Sequence, residues 1–215
     1  MGSRHANLGQ VAGAQVSLAP IDMTDVVFDL AGDSLPATYP FALWTELTQI
    51  EPALANDDRI AVLPLRTAES DTLHLLPKRA KLVLRLPQEL ASVALGLAGS
   101  QLDVAGNTLT LGAGKLRPLQ SYPTLHAHLV AATGDEAVFM DEVLARLAEL
   151  GIQAQIICGR QGQLSDGQQT ISGFSLVLHD LKPESSLMLQ CAGMGAARRY
   201  GCGVFVPYKV ISSLE

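Results

Sequence analysis

The spacing of apolar residues switches back and forth between strand-like and helix-like patterns along the chain. Asp25 to Ala31 (DVVFDLA) is a short β-branched run that predicts a strand. Ser34 to Pro40 turns the chain, and Phe41 to Leu54 has apolar residues at helical spacing, with Trp44 on the same stripe as Phe41 and Leu47 and so expected in the core. Arg59 to Leu65, Thr72 to Leu76 and Ala80 to Leu86 read as strands, the last two separated by Pro77-Lys78-Arg79. Pro87 to Leu97 predicts a helix with proline in its first turn, where a missing N–H costs nothing. Gly99 to Leu119 holds two strand-like pieces around the hairpin signal Gly106-Asn107.

The rest of the chain repeats that order. Leu125 to Ala131 predicts a strand, and Asp135 to Leu150 a helix with Phe139, Met140, Val143, Leu144, Leu147 and Leu150 on its apolar stripe and Gly151 as its stop. Gln153 to Cys158 and Gly173 to Leu178 read as strands around a polar loop, Gly162 to Gln169. Pro183 to Leu189 predicts a short helix, and a glycine-rich loop leads into a last strand, Val204 to Tyr208. The reading is an α+β protein of two tandem ferredoxin-like βαββαβ domains with antiparallel sheets. An N-terminal extension covers 1–20, the first domain 21–120 and the second 121–215, with the join near Gln120 to Pro123.

Composition narrows the class. Hydrophobic residues make up 48% of the chain and charged residues 17%, which is enough apolar matter for real cores and rules out a disordered reading. Apolar runs are short and interrupted by Lys, Asp or Gly, so no transmembrane helix is expected, and the first ten residues lack the apolar region of a secretory signal. Three cysteines, Cys158, Cys191 and Cys202, are expected as buried or free thiols in a reducing cytoplasm. The net charge of −6 argues against nucleic acid, but its distribution does not. From Pro20 to Asp58 there are eight acids and no Lys or Arg, whereas from Lys78 to Arg117 six bases meet two acids. Two basic patches on an acidic body suit a local RNA site and a plain solvated surface alike.

The stretch Gly193 to Pro207 (GMGAARRYGCGVFVP) carries four glycines and two adjacent arginines. Such a loop lets backbone approach a phosphate chain closely while guanidinium groups hold it. A flexible loop at a sheet edge has the same composition. It is not a dinucleotide fingerprint, because Arg198 stands where the third glycine of G-x-G-x-x-G belongs, and the G-K-[ST] of a phosphate-binding loop is absent. No C-x-x-C or H-E-x-x-H spacing offers a metal site.

This loop before the final strand of a second ferredoxin-like domain resembles the signature of the CRISPR-associated repeat-processing endoribonucleases of the RAMP superfamily. Arg79 to Pro87 (RAKLVLRLP), Leu125 to Val130 (LHAHLV) and Leu176 to Pro183 (LVLHDLKP) are also similar to one branch of that family, and the resemblance spans roughly Asp25 to Lys209. It implies an enzyme that cuts CRISPR repeat RNA into guide RNAs without metal or cofactor, by attack of a ribose 2′-OH on the adjacent phosphate. It also implies, in many members, that the product stays bound among other subunits of an interference complex. A non-catalytic guide-RNA-binding subunit of the same superfamily and a ferredoxin-like metabolite-sensing or assembly module remain as alternatives. In several relatives a catalytic His lies just after the first strand; here Gly32 to Trp44 contains no His, only Ser34 and Tyr39, which leaves Tyr39 as the inherited candidate.

The reaction needs a base, an acid and positive charge near the phosphate. Strand alternation puts His126 and His128 on one sheet face, and Ser175, Val177 and His179 opposite the apolar Phe174, Leu176 and Leu178. With first and third strands as antiparallel neighbours, His179 falls beside His126, and Tyr208 and Lys209 near the same corner. His179 and His126 are therefore the catalytic candidates, ahead of His128 and His74, although each could simply hydrogen-bond in a half-exposed sheet. The RNA-binding candidates are Gly195, Arg198, Arg199, Tyr200 and Gly201 in the loop, with Lys78, Arg79, Lys81 and Arg85 as a second patch. On one strand, Arg79, Lys81 and Arg85 would share a face, which suits an RNA backbone or a charged edge that resists aggregation. Aromatic residues are only 5%, so Tyr200 is the one stacking candidate singled out.

Overall fold

The computed structural model describes residues 22–69 and 73–208, so the expected extension over 1–20 and Lys209 lie outside the described residues. In chain order the first half contains β1 (Met23–Ala31), β2 (Ser34–Pro36), α1 (Tyr39–Ile50), β3 (Ala61–Val62), β4 (Ala68–Glu69), β5 (Leu73–Leu75), β6 (Lys81–Pro87), α2 (Ala91–Leu95), β7 (Gln101–Val104) and β8 (Asn107–Pro118). The second half contains β9 (Leu125–Ala131), α3 (Glu136–Glu149), β10 (Gln155–Ser165), β11 (Thr170–His179), α4 (Pro183–Ala192) and β12 (Val206–Pro207). Among the described residues no helix is long and apolar enough to cross a membrane.

Two antiparallel sheets dominate, in the orders β3-β6-β1-β8-β7 and β10-β11-β9-β12, with a small third sheet, β2-β5-β4. The alternation expected of β1 holds: Val26, Phe28 and Leu30 enter a core shared with Leu43, Trp44 and Leu47 of α1. Asp25, Val27 and Asp29 therefore occupy its other face. In the second half Leu125, Ala127, Leu176 and Leu178 join Phe139, Val143 and Leu147 of α3 in a separate core. The helix α3 starts at the Asp135 carboxylate, which accepts from the Val138 N–H at 3.1 Å, and ends at Gly151 with φ 65°.

Several local expectations change. The strand expected over Arg59 to Leu65 shrinks to β3, because only Ala61 and Val62 find ladder partners on β6. The helix expected from Pro87 to Leu97 becomes a 3₁₀ turn, Gln88–Leu90, followed by the five-residue α2. The first half of the polar loop 162–169 is strand and only its second half turns: β10 and β11 pair from Gln155↔His179 to Ser165↔Thr170. Cross-strand hydroxyls and the Asp166 carboxylate, which accepts from the Gln168 and Gln169 N–H groups, close this long hairpin at its tip. Polarity misled because both faces of that ribbon meet water.

The halves join through a small apolar cluster of Ala61, Leu63, Val83 and Val204, flanked by Val27 and Val206. Arg85 lies beside it and is 2% exposed. Its Nε and Nη2 donate to the two Asp25 carboxylate oxygens at 2.8 and 3.3 Å, and Nη1 donates to the Phe205 and Gln190 carbonyls at 2.9 and 3.4 Å. The expected exposed row of Arg79, Lys81 and Arg85 is thus corrected. Arg79 sits in the turn closed by Ala80 N–H to Pro77 carbonyl, Lys81 opens β6 in an ion pair with Asp29, and Arg85 is consumed inside the protein.

Candidate functional site

The open face of the second sheet gathers the histidines. Since Leu125 and Ala127 point into the core, His126 and His128 point out, and their rings meet edge to face with centroids 4.2 Å apart. His126 stands opposite Val177 on β11 and Val206 on β12. Two residues further along β11, His179 places Nδ1 3.1 Å from the Thr124 hydroxyl. Tyr208 donates its N–H to the Thr124 carbonyl at 3.2 Å, and its ring centroid lies 5.5 Å from that of His126. Three histidines and a tyrosine thus share one corner. Burial, with a smaller contribution from a charged His128, pushes the His126 pKa down to about 4, so its imidazole is neutral at physiological pH.

The open face of the first sheet carries cations. Lys115 and Arg117 stand opposite Val27 and Asp25 on β1, and with Lys81 and Asp29 they line a depression of about 290 Å³. The two sheets adjoin through the cluster of Ala61, Leu63, Val83 and Val204, against which both Val27 of β1 and Val206, the register partner of His126, pack. Arg117 is half exposed and donates to Asp25 at 2.9 Å. Sequence reasoning counted Lys115 and Arg117 among the bases but did not select them, since only the β1–β8 register shows which way they face. Lys78 and Arg79 stay exposed in their turn.

The glycine-rich loop is held by its own backbone. Left-handed φ values at Gly193, Gly195, Ala197, Gly201 and Gly203 fold it, and Gly203 donates its N–H to the Leu129 carbonyl at 2.7 Å. A side chain at Gly195 would press on the Ala131 carbonyl at 3.1 Å, and one at Gly201 on Pro64 at 3.2 Å, so both glycines serve close packing. The two arginines part company. Arg198 turns inward, its Nη1 donating to the Cys191 and Ala192 carbonyls at the end of α4 at 2.7 and 2.5 Å. Among the described residues its Nε and Nη2 are buried without a partner, and burial, aided by the charge on Arg85, pulls its pKa down to about 10. Arg199 is exposed, with its guanidinium 5.4 Å from the Tyr200 ring centroid. Tyr200 itself packs on Phe41 at 4.6 Å, so it is part of the first core's rim and no free stacking platform.

Tyr39 is placed apart from the histidine face. Its hydroxyl accepts the Leu65 N–H at 3.2 Å, and burial raises its pKa. Beside it lies His74, with ring centroids 5.9 Å apart and edge-on, and His74 Nδ1 is 3.1 Å from the Thr67 hydroxyl. This pair was hidden in the sequence because β5 is inverted: Leu73 and Leu75 are 39% and 48% exposed while the histidine turns in. Among the described residues no three His, Cys, Asp or Glu side chains converge as metal ligands.

A measurement of RNA binding against salt concentration is expected to separate the two arginines. Arg199→Ala is expected to reduce the slope of log affinity against log salt by about 0.7, one single-strand phosphate contact, while Arg198→Ala leaves it unchanged. Filter binding of repeat RNA at several salt concentrations checks this; loss of slope in Arg198→Ala would mean that the buried guanidinium turns outward on binding.

The family model described as Cas6 Crispr matches residues 24–210. The CRISPR-associated endonuclease Cas6 of Myxococcus xanthus (strain DK1622) is 35% identical over 185 residues, covering 85% of this chain and 80% of that protein. Among solved structures, a CRISPR associated protein Cas6 superposes with a TM-score of 0.64 at 9% identity, covering 87% of this chain and 100% of its own. A RAMP protein binding different RNA substrates superposes with a TM-score of 0.61 at 12% identity, covering 85% and 98%. These distant structures share the mixed α+β fold with antiparallel sheets, while the sequence match spans nearly the whole described chain: the protein belongs to the Cas6 family.

Proposed function

We propose that the protein is an endoribonuclease that cuts CRISPR repeat RNA by metal-independent attack of a ribose 2′-OH, and that it keeps the product as a guide RNA. The observation that carries this reading is the meeting of three histidines and a tyrosine on one open sheet face with Lys81, Lys115 and Arg117 on the adjoining one. The Cas6 relative from Myxococcus xanthus, named an endonuclease, supports the reaction class. The strand orders β3-β6-β1-β8 and β10-β11-β9-β12 follow one pattern, and separate cores underlie them, which supports two ferredoxin-like domains over 21–120 and 121–215.

In this reading the RNA backbone lies along the cationic face with the scissile phosphate near the histidine corner. Neutral His126 accepts the 2′-OH proton as the oxygen attacks phosphorus. His179, steadied by the Thr124 hydroxyl, gives a proton to the departing 5′-oxygen. The products are a 2′,3′-cyclic phosphate and a 5′-hydroxyl. Positioning of the strand in line contributes as much as either proton transfer. Lys78, Arg79 and Arg199 supply further phosphate contacts.

A second reading rests on the Tyr39–His74 contact. There His74 is the base and Tyr39, whose oxygen already accepts from Leu65, donates its own proton. Tyr200 on Phe41 and Gly201 against Pro64 dock the glycine-rich loop close to this pair.

Repeat RNA incubated with the protein in EDTA is expected to be cut, and a substrate with a single 2′-deoxy sugar before the cut site to bind and survive. Normal cutting of the deoxy substrate would remove the 2′-OH mechanism. A gel shift without any cutting of the natural repeat would leave a guide-RNA-binding subunit.

A further inference from the structure

The strand β12 is two residues long and joins its sheet only through Val206↔His126 and Pro207↔Leu125. A ladder that short does not order itself, since each residue fixed costs about 1–2 kcal/mol of backbone entropy. Something else must hold it, because Tyr208, the residue that follows, lies against His126. On one side Phe205 is fully buried in the second core. On the other side the anchor comes from the first half: Arg85 Nη1 reaches the Phe205 carbonyl at 2.9 Å and the Gln190 carbonyl at 3.4 Å. The opposite edge of the same guanidinium is gripped by Asp25 through two bonds, and Asp25 also receives Arg117 from the cationic face.

We propose that Arg85 is a positioning residue: it pins β12 to the first sheet and thereby holds Tyr208 and the His126 edge in register with the cationic face. The proposal deepens the histidine-face reading of the function and rests on it. Arg85 touches neither RNA nor reacting atoms. It acts through the Phe205 carbonyl, one residue before the strand. A planar fork is required, because one edge must meet a carboxylate while the other meets one carbonyl of α4 and one just before β12; a lysine nitrogen is a single point and cannot span both sides. The same carboxylate ties the pin to Arg117, so the cationic wall and the histidine corner share one buried fixture.

The test is Arg85→Lys in the full chain, with three readouts: amide exchange at Val206 and Tyr208, NMR titration of His126, and single-turnover cleavage beside repeat affinity. The expected result is faster exchange at both amides and a His126 pKa that rises from about 4 towards 6.5 as the edge opens, with His128 and Tyr208 the titratable groups facing it. Cleavage should slow by about tenfold to a hundredfold with affinity nearly unchanged, as expected for a lost alignment. If the lysine variant does not fold, Asp25→Leu combined with Arg85→Met replaces the buried pair by apolar side chains while still lacking both carbonyl contacts, and the same readouts apply. A folded variant with an unaltered edge, or with an altered edge and the normal cleavage rate, overturns the proposal. Failure of the wild-type protein to cut repeat RNA would instead strike the proposed function, and the exchange and titration readouts would still judge the pin.

Discussion

His126→Ala and His179→Ala should each slow single-turnover cleavage of repeat RNA by at least about a hundredfold, since a general acid or base contributes roughly 10²–10⁴. Repeat affinity should barely change, because the proposed phosphate contacts come from Lys78, Arg79, Lys81, Lys115, Arg117 and Arg199. The pH profile of the wild-type protein supplies a second check. A base must be deprotonated to act, and burial holds the His126 pKa down at about 4, so the acid limb of the rate should lie at about pH 4. A free histidine would place that limb near 6.5. His74→Ala is expected to cut normally. If His74→Ala and Tyr39→Phe abolish cutting while folded His126→Ala protein does not, the acid-base pair is the one beside the glycine-rich loop.

Asp25→Ala should cost about 3–5 kcal/mol of stability, read from the urea midpoint. The aspartate is 2% exposed and is the carboxylate facing Arg85. Removing it leaves a guanidinium inside the protein with no opposite charge, and desolvation of that charge is then uncompensated. Asp25→Leu combined with Arg85→Met should recover most of the loss, because no charge remains buried. A loss below about 1 kcal/mol in Asp25→Ala would mean that water reaches Arg85, and that the junction between the halves is looser than its packing implies.

Local pattern made much of this legible. The stripe Phe139, Val143, Leu147 and the stop at Gly151 place α3 correctly, and alternation in Leu125 to Leu129 orients His126 and His128 before any tertiary information is used. The antiparallel pairing of β9 with β11 then brings His179 to the same corner. What stayed hidden depends on partners distant in sequence. Arg85 looks like one of a row of surface bases until Asp25 and Phe205, 60 and 120 residues away, are known to surround it. Arg198 reads as a phosphate ligand until the end of α4 claims it. The leucines around His74 point to water, against the usual logic of alternation, because β5 belongs to the small outer sheet.

The span of the Arg85–Phe205 contact also bears on how the chain acquires its shape during synthesis. The strands of the first sheet, from β1 to β8, are complete by Pro118, so that sheet can close while the second half is still on the ribosome. Arg85 is then paired with Asp25 but uncovered and wet, and its last two acceptors arrive only when residues 190 and 205 emerge. Docking the final strand must strip water from an already formed ion pair, and it closes a loop of 120 residues to do so. Completion of the histidine corner therefore follows the synthesis of the first sheet in each new molecule, and a nascent chain that has not reached Tyr208 holds every strand of that sheet but lacks the tyrosine of the corner.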